Sequence, residues 1–341
     1  MTKRNYASFD IAKLFCALLV IIIHTRPLAR YSDVADFYLA DVLARFAVPL
    51  FFAMSGYLFF GKLLLEDGKI KRCAENRARL LHYLKRIGIL YLAWSAVYLL
   101  YQLPQWRASG WWGLYVLKDY FISFLFSGSY YHLWYLLALL YAVPLLYFVL
   151  TFMRKDKLIW VCVVGWLTEC LLYSYRWIGI DNIEALTWLT SRFDILFCAA
   201  FRAVPLLGIG ALCIDGRVNT YKWRTWTIAS FVACVFEASM LHFFSPNEGQ
   251  YSYLICTPIF TYCGLNWLLN IDADKIDQTK RLFCRHGSLV IYCVHPLVIG
   301  IYDQLTLPDG LLRWGIVTVV SIVIAFVWVH ITNSKRDFGR A

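Results

Sequence analysis

Lys13 and His24 stand eleven residues apart in the apolar run FDIAKLFCALLVIIIHT. In an α-helix eleven residues turn through about 1100°, three full turns plus ~20°, so both fall on nearly one face, ~16 Å apart along the axis. An imidazole takes or gives a proton near neutral pH, and an ammonium is a compact positive charge. One stripe of one helix thus carries a cation and a titratable base at two depths, with Asp10 a turn before the cation. That pattern suits general-base chemistry on a reactant held by its charge. Blander roles stand beside it: Lys13 can snorkel to an interface, and a lone His on an apolar helix is commonly a packing residue.

Other ionisable side chains interrupt apolar stretches: Arg45, His132, Glu169, Asp194, Arg202, Glu237, His242 and His295. Inside a bilayer each costs a few kcal/mol on insertion scales, so each needs a partner or a task. Arg45, His132, Asp194 and Arg202 lie toward outer ends of their segments and are expected to meet His24 in one outward-opening cavity. Glu169 and Glu237 are both candidates for an ion pair with Arg202, and a structural pair is the expected role for them.

The elements that position these groups follow from composition. The 341 residues are 60% hydrophobic and 16% charged, whereas a soluble chain carries about a quarter charged residues. Apolar runs at Ile11–Ile23, Val48–Phe60, Leu133–Phe152 and Trp314–Val329 are nearly unbroken. With flanking residues they reach the ~20 needed to cross a ~30 Å hydrocarbon slab. Ten spans are expected, near 11–30, 43–63, 83–103, 132–152, 158–175, 193–213, 225–244, 252–270, 287–305 and 312–332. The fold class is all-α, a polytopic integral membrane protein, forming one transmembrane domain over 1–341 (core 8–333) with no soluble domain.

Charge orients the spans. The even connections and the tails hold Lys and Arg: eight between Lys62 and Arg86, then Arg154, Lys155 and Lys157, then Arg217, Lys222 and Arg224, then Lys275, Lys280, Arg281 and Arg285, with Lys3, Arg4, Lys335, Arg336 and Arg340 in the tails. The odd connections hold Asp33, Asp36, Asp181, Glu184, Glu248 and Asp309. This is the positive-inside pattern, with both termini cytoplasmic. The net charge of +11 therefore reads as topology and contact with lipid headgroups, not as a nucleic-acid face. The first apolar run reads as a retained helix, not a cleaved signal peptide.

Eleven cysteines are scattered without a CxxC pair or zinc spacing, so they read as packing residues and no metal is expected. The basic stretch 62–86 is a candidate interfacial helix. The connection 104–131 contains Trp106, Trp111, Trp112, Tyr115, Tyr120, Phe121, Tyr130 and Tyr131, which suits the outer headgroup zone. No internal repeat is visible, so an inverted-repeat transporter is not inferred.

Five segments, in order, carry a resemblance. FDIAKLFCALLVIIIHT resembles the opening of bacterial integral-membrane acyltransferases (acyltransferase family 3), in which a basic residue, usually Arg, precedes a catalytic His by eleven positions. Lys13 and His24 occupy those places. RFAVPLFFAMSGYLF is similar to that family's PLFFxxSGYL segment and places Arg45, Pro49, Phe51, Phe52, Ser55, Gly56 and Tyr57 on it. HLWYL at 132–136 matches a family motif through His132 and Trp134. FRAVPLLGIGALC at 201–213 and SLVIYCVHPLV at 288–298 resemble two further helices and add Arg202 and His295. Lys13 departs from the usual Arg, and an ammonium cannot make the bidentate grip of a guanidinium. The wording leans toward surface-polysaccharide O-acetyltransferases, a branch that also holds the membrane half of vancomycin-resistance serine racemases.

The resemblance implies transfer of an acyl group from a cytoplasmic thioester, acetyl-CoA by default, to a hydroxyl of an extracytoplasmic glycan or lipid-linked sugar. It implies a multi-pass protein of the bacterial inner membrane, in which His24 is catalytic and Lys13 positions the donor. Asp10, Arg45, Ser55, Arg86, His132, Trp134, Arg202 and His295 would contact donor or acceptor, with Arg86 and the 62–86 loop forming a basic inner mouth. The lipid bilayer is the expected partner, and a homodimer is allowed. Two other readings stay open: a transporter of serine or a similar small solute, and a non-catalytic partner in envelope assembly.

Overall fold

The computed structural model describes residues 7–111, 113–178, 182–214, 222–244, 253–271, 277–305 and 307–338. Trp112 and the loop or tail charges Lys3, Arg4, Asp181, Arg217, Glu248, Lys275 and Arg340 lie outside these. The long helices are α1 (Ala7–Thr25), α2 (Ala47–Phe60), α3 (Ala74–Ala108), α4 (Leu114–Phe126), α5 (Trp134–Phe152), α6 (Leu158–Leu172), α7 (Glu184–Arg192), α8 (Val204–Leu212), α9 (Lys222–Phe244), α10 (Thr257–Asn270), α11 (Gln278–Gln304) and α12 (Leu311–Phe338). Among the described residues, eight helical segments are long and apolar enough to cross a bilayer. The spans expected near 158–175 and 252–270 form α6 and α10, of 15 and 14 residues, about 22 and 21 Å long.

Side chains such as Phe15, Leu92, Leu100, Val319, Val323, Phe326 and Trp328 are exposed on these helices. Hydrocarbon is the solvent that makes such a surface stable. The interior is apolar too, so close fit rather than hydrophobic burial distinguishes inside from outside.

Among the described candidate spans, two are not plain α-helix. Before α2, a turn at Asp33–Asp36 is capped by Ser32, whose hydroxyl accepts the Ala35 N–H. It leads through a π-helical stretch (Phe37–Leu43) and a 3-10 turn (Ala44–Phe46). Before α8, a turn at Asp194–Phe197 leads through a second π-helical stretch, Cys198–Ala203. In both, an Arg is followed by Ala-Val-Pro-Leu, directly after Arg202 and one residue later after Arg45. Pro49 and Pro205 withhold an N–H from the carbonyls of Arg45 and Phe201, and widened or tightened turns re-satisfy the backbone.

The chain forms two compact units. One comprises residues 1–51, 218–239 and 259–341. In it α11 packs along both α1 and α12, and α1 also packs on the π and 3-10 turns before α2. The other comprises residues 52–217 and 240–258. There α8 packs on α5 and α6, and it meets α2 at backbone distance. A methyl group at Gly56 would run into the Leu207 carbonyl, and one at Gly210 into the Ala53 carbonyl. Only glycine allows two helices to approach so closely.

The basic stretch 62–86, a candidate interfacial helix, divides between a hairpin and the start of α3. The hairpin pairs β1 (Leu65–Glu66) antiparallel with β2 (Lys69–Ile70). Asp67 and Gly68 turn it with φ of 50° and 74°, values that a turn Asp-Gly pair tolerates. The Asn76 carboxamide closes its base, accepting from Leu64 N–H and donating to the Leu64 and Lys71 carbonyls. From Ala74 the chain is already α3. The aromatic connection 104–131 contains the end of α3 and the 13-residue α4, with Trp111, Tyr115 and Phe121 exposed. Among the described residues the eleven cysteines form no disulfide, and eight are buried.

Candidate functional site

α1 runs without interruption from Ala7 to Thr25, so the eleven-residue spacing keeps Lys13 and His24 on one side of it. Both side chains are partly exposed. His24 stacks on His295 of α11, with ring centroids 5.5 Å apart and planes 24° from parallel. His295 is fully buried, and its Nδ1 lies 3.0 Å from the Ile291 carbonyl. A carbonyl can only accept, so Nδ1 carries the hydrogen and Nε2 is the acceptor nitrogen. Pro296 follows directly, so the Tyr292 carbonyl lacks the N–H of position 296 that would satisfy it in a regular helix. The Tyr292 ring lies 6.3 Å from that of His295.

Arg45 lies in the 3-10 turn that packs on α1. Its guanidinium bonds Asp41 at 3.0 Å. Asp41 in turn accepts from Arg26 at 2.7 Å, and Arg26 also pairs with Asp36 at 2.8 Å. Two cations and two carboxylates, alternating, thus hold the turn after α1 to the interrupted helix beside His24. Asp36 also accepts the Leu28 N–H.

At the opposite end of α1, Arg285 of α11 grips both oxygens of Asp10, with contacts of 3.1, 3.2 and 2.7 Å. Asp10 is buried. Its carboxylate is therefore engaged in a fork-to-fork pair that ties α1 to α11. The sequence reading counted Arg285 only as a loop charge. Its partner was not legible because 275 residues separate the two.

The other candidates lie in the second unit. Arg202, on its π-helical stretch, pairs with Glu169 of α6. Nε and Nη2 both converge on Oε1, at 2.6 and 2.5 Å. Both side chains are buried. Glu169, one of the two acids considered for Arg202, pairs with it. The guanidinium faces three rings, with centroids 4.1 Å away at Tyr253, 5.2 Å at Tyr173 and 5.3 Å at Trp134. Asp194, at the start of the same broken helix, accepts the Tyr173 hydroxyl at 2.5 Å.

HLWYL divides its work. His132 is buried and packs edge-on against Tyr98 at 4.9 Å, with Tyr130 and Tyr131 within 6 Å. Trp134 faces Arg202. Tyr135 reaches Ser55, hydroxyl to hydroxyl, at 3.3 Å, and packs on Phe52 at 4.6 Å. Arg86 is exposed on α3. Thus Lys13, Asp10, His24, Arg45 and His295 belong to one unit, and Ser55, Arg86, His132, Trp134 and Arg202 to the other. Tyr173 and Tyr253 were not foreseen, since a tyrosine near a membrane interface carries no distinguishing signal. Among the described residues, no three His, Cys, Asp or Glu side chains gather as metal ligands.

A family described as "Acyltransferase domain", acyltransferase 3, matches residues 6–330. Two amino-acid racemases of Enterococcus faecalis are 27% and 23% identical over 98% of this chain and 47% of their own lengths. A serine/alanine racemase of Enterococcus gallinarum is 23% identical over 96% of this chain and 46% of its own. The chain thus spans about half the length of these curated relatives. No solved structure matches. With one family covering nearly every described element and, among the described residues, eight helices long and apolar enough to cross a bilayer, the chain is a multi-pass membrane protein belonging to the acyltransferase 3 family.

Proposed function

We propose that this protein transfers an acyl group, acetyl by default, from cytoplasmic acyl-CoA to a hydroxyl of an extracytoplasmic glycan or lipid-linked sugar in a bacterial inner membrane. The observation that carries the proposal is the stacked His24–His295 pair at one end of the face that holds Lys13. An acceptor hydroxyl is a very weak acid, so its proton must be taken as it attacks. His24 takes that proton while the hydroxyl oxygen adds to the thioester carbonyl. The C–S bond then breaks, the C–O ester bond remains, and His24 returns the proton to the departing sulfur. His295 holds the His24 ring in place through stacking, its own orientation fixed by the Ile291 carbonyl. Lys13, three turns nearer the cytoplasmic side by the charge rule, attracts the anionic donor. Arg45 supplies positive charge for the oxyanion that forms on the carbonyl.

The test uses inverted membrane vesicles supplied with labelled acetyl-CoA, with label counted in extracted envelope glycans. A His24→Ala variant that inserts normally is expected to lose transfer by at least about 100-fold. Undiminished labelling would remove His24 from the reaction.

A second reading rests on the relatives' names, amino-acid racemase and serine/alanine racemase. They favour handling of a small amino acid by the membrane-spanning half. Uptake of labelled L-serine by the same vesicles, without any acyl transfer, would select that reading.

A further inference from the structure

We propose that Glu169, Arg202 and Asp194, walled by Trp134, Tyr173 and Tyr253, form a binding site for the primary ammonium group of a small molecule. Arginine and carboxylate usually meet two to two, each N–H on its own oxygen. Here both Arg202 nitrogens converge on Oε1 of Glu169. Oε2 is buried and has no hydrogen-bond partner among the described residues. Glu169 itself is 0% exposed. An unmet carboxylate oxygen at membrane depth is costly, and an N–H donor from a ligand would satisfy it.

Charge selects the kind of donor. Glu169 bonds Arg202, and Asp194 starts the broken helix that carries Arg202; with both acids ionised, two carboxylates against one guanidinium leave a net charge of −1. A neutral hydroxyl would fill the hydrogen bond and leave that charge in place; an ammonium fills both. The walls agree, since three aromatic faces already turn toward positive charge at Arg202, and ring faces attract cations. Arg202 and Glu169 are buried, while Trp134, Tyr173, Tyr253 and Asp194 are partly exposed. The charged floor therefore has accessible walls.

The walls are also fixed in advance. Ser174 accepts the Tyr253 N–H at 3.0 Å, and Trp166 donates its indole N–H to the Leu254 carbonyl at 2.8 Å. The π-helical turn at Cys198–Ala203 is a backbone irregularity of the kind that recurs at functional sites.

The experiment is calorimetric titration of the full-length protein in phosphatidylcholine nanodiscs with ethanolamine, L-serine, glycerol and lactate. Ethanolamine and L-serine are expected to bind, and glycerol and lactate are not. Glu169→Gln should weaken ethanolamine binding by about tenfold or more, the worth of a charge-assisted hydrogen bond. Asp194→Asn, which still accepts from Tyr173, removes the same unit of charge with less threat to folding. It should weaken binding several-fold. Binding of glycerol or lactate as tight as that of ethanolamine, no binding at all, or unchanged affinity in a folded variant would each overturn the proposal. Repeating the titration with phosphatidylethanolamine in the disc separates two sources of the same group. Competition by the lipid identifies a headgroup site, and equal affinity identifies a site for the free compound. No acyl donor is present in the titration, so its failure leaves the transferase reading standing, and loss of transfer leaves this site standing.

Discussion

The His24–His295 centre and the Glu169–Arg202 centre solve the same problem, polar groups at membrane depth, in opposite ways. The first keeps two imidazoles face to face, groups that can be neutral and exchange a proton. Its fixed charges, Arg26, Asp36, Asp41 and Arg45, are tied to one another beside the rings. The second buries a permanent cation against a carboxylate and wraps it in aromatic rings. Arginine does not deprotonate in proteins, so that centre cannot relax by losing its charge. Buried pairs of this kind are costly to assemble and more costly to break. The difference teaches that, under the proposed function, proton transfer is suited to the histidines, whereas the Arg202 centre is suited to architecture or a charged ligand.

The comparison can be broken most directly at His24. His24→Ala should leave melting temperature and insertion near wild type while transfer falls at least about 100-fold; a matching collapse in stability would make the histidine pair structural. The second centre should behave in reverse. Arg202→Met leaves Glu169 buried without its cation, at a cost of about 3–5 kcal/mol. The yield of folded protein, followed by size-exclusion fluorescence, should fall sharply. The double variant Arg202→Met with Glu169→Leu should recover much of that yield. If Arg202→Met alone folds as well as wild type, the contrast drawn above is wrong.

Subtler changes sharpen it. His295→Phe keeps a ring against His24 but removes the bond to Ile291, and transfer should fall about tenfold with KM little changed. An unchanged rate would assign His295 to packing. At the far end of α1, Arg285→Ala should destabilise by about 1–3 kcal/mol through loss of the Asp10 fork, visible as a lower melting temperature. Smallest of all, Arg26→Ala removes a half-exposed guanidinium from its pairs with Asp36 and Asp41, for which about 1 kcal/mol is expected. A large loss of transfer on that change would show that the Arg26–Asp41–Arg45 chain orients Arg45 during the reaction.

Much of this was legible in the residues. Unbroken apolar runs fixed an all-α membrane protein, because hydrocarbon admits few other structures, and the order of five short segments identified the family. Lys13 and His24 shared a face by helix arithmetic alone, since α1 contains nothing that interrupts it. The hairpin at 65–70 lies in a stretch read only as a basic loop with room for an interfacial helix, although Asp67-Gly68 is a turn signal. Nor did the helix periodicity disclose the π-helical stretches at 37–43 and 198–203. The second contains Phe201, whose carbonyl Pro205 leaves without an N–H, and which widened turn results is settled by neighbouring backbone.

The sequence by itself determined which side chains are too polar for their surroundings, because transfer into hydrocarbon is a property of each residue and its immediate run. It could not determine their partners. Asp10 with Arg285 and Glu169 with Arg202 are separated by 275 and 33 residues, and only helix packing brings them within bonding distance. The same holds for His24 and His295. A lone imidazole in a sequence is a possibility for chemistry, and only a second helix, α11, sets another ring beside it.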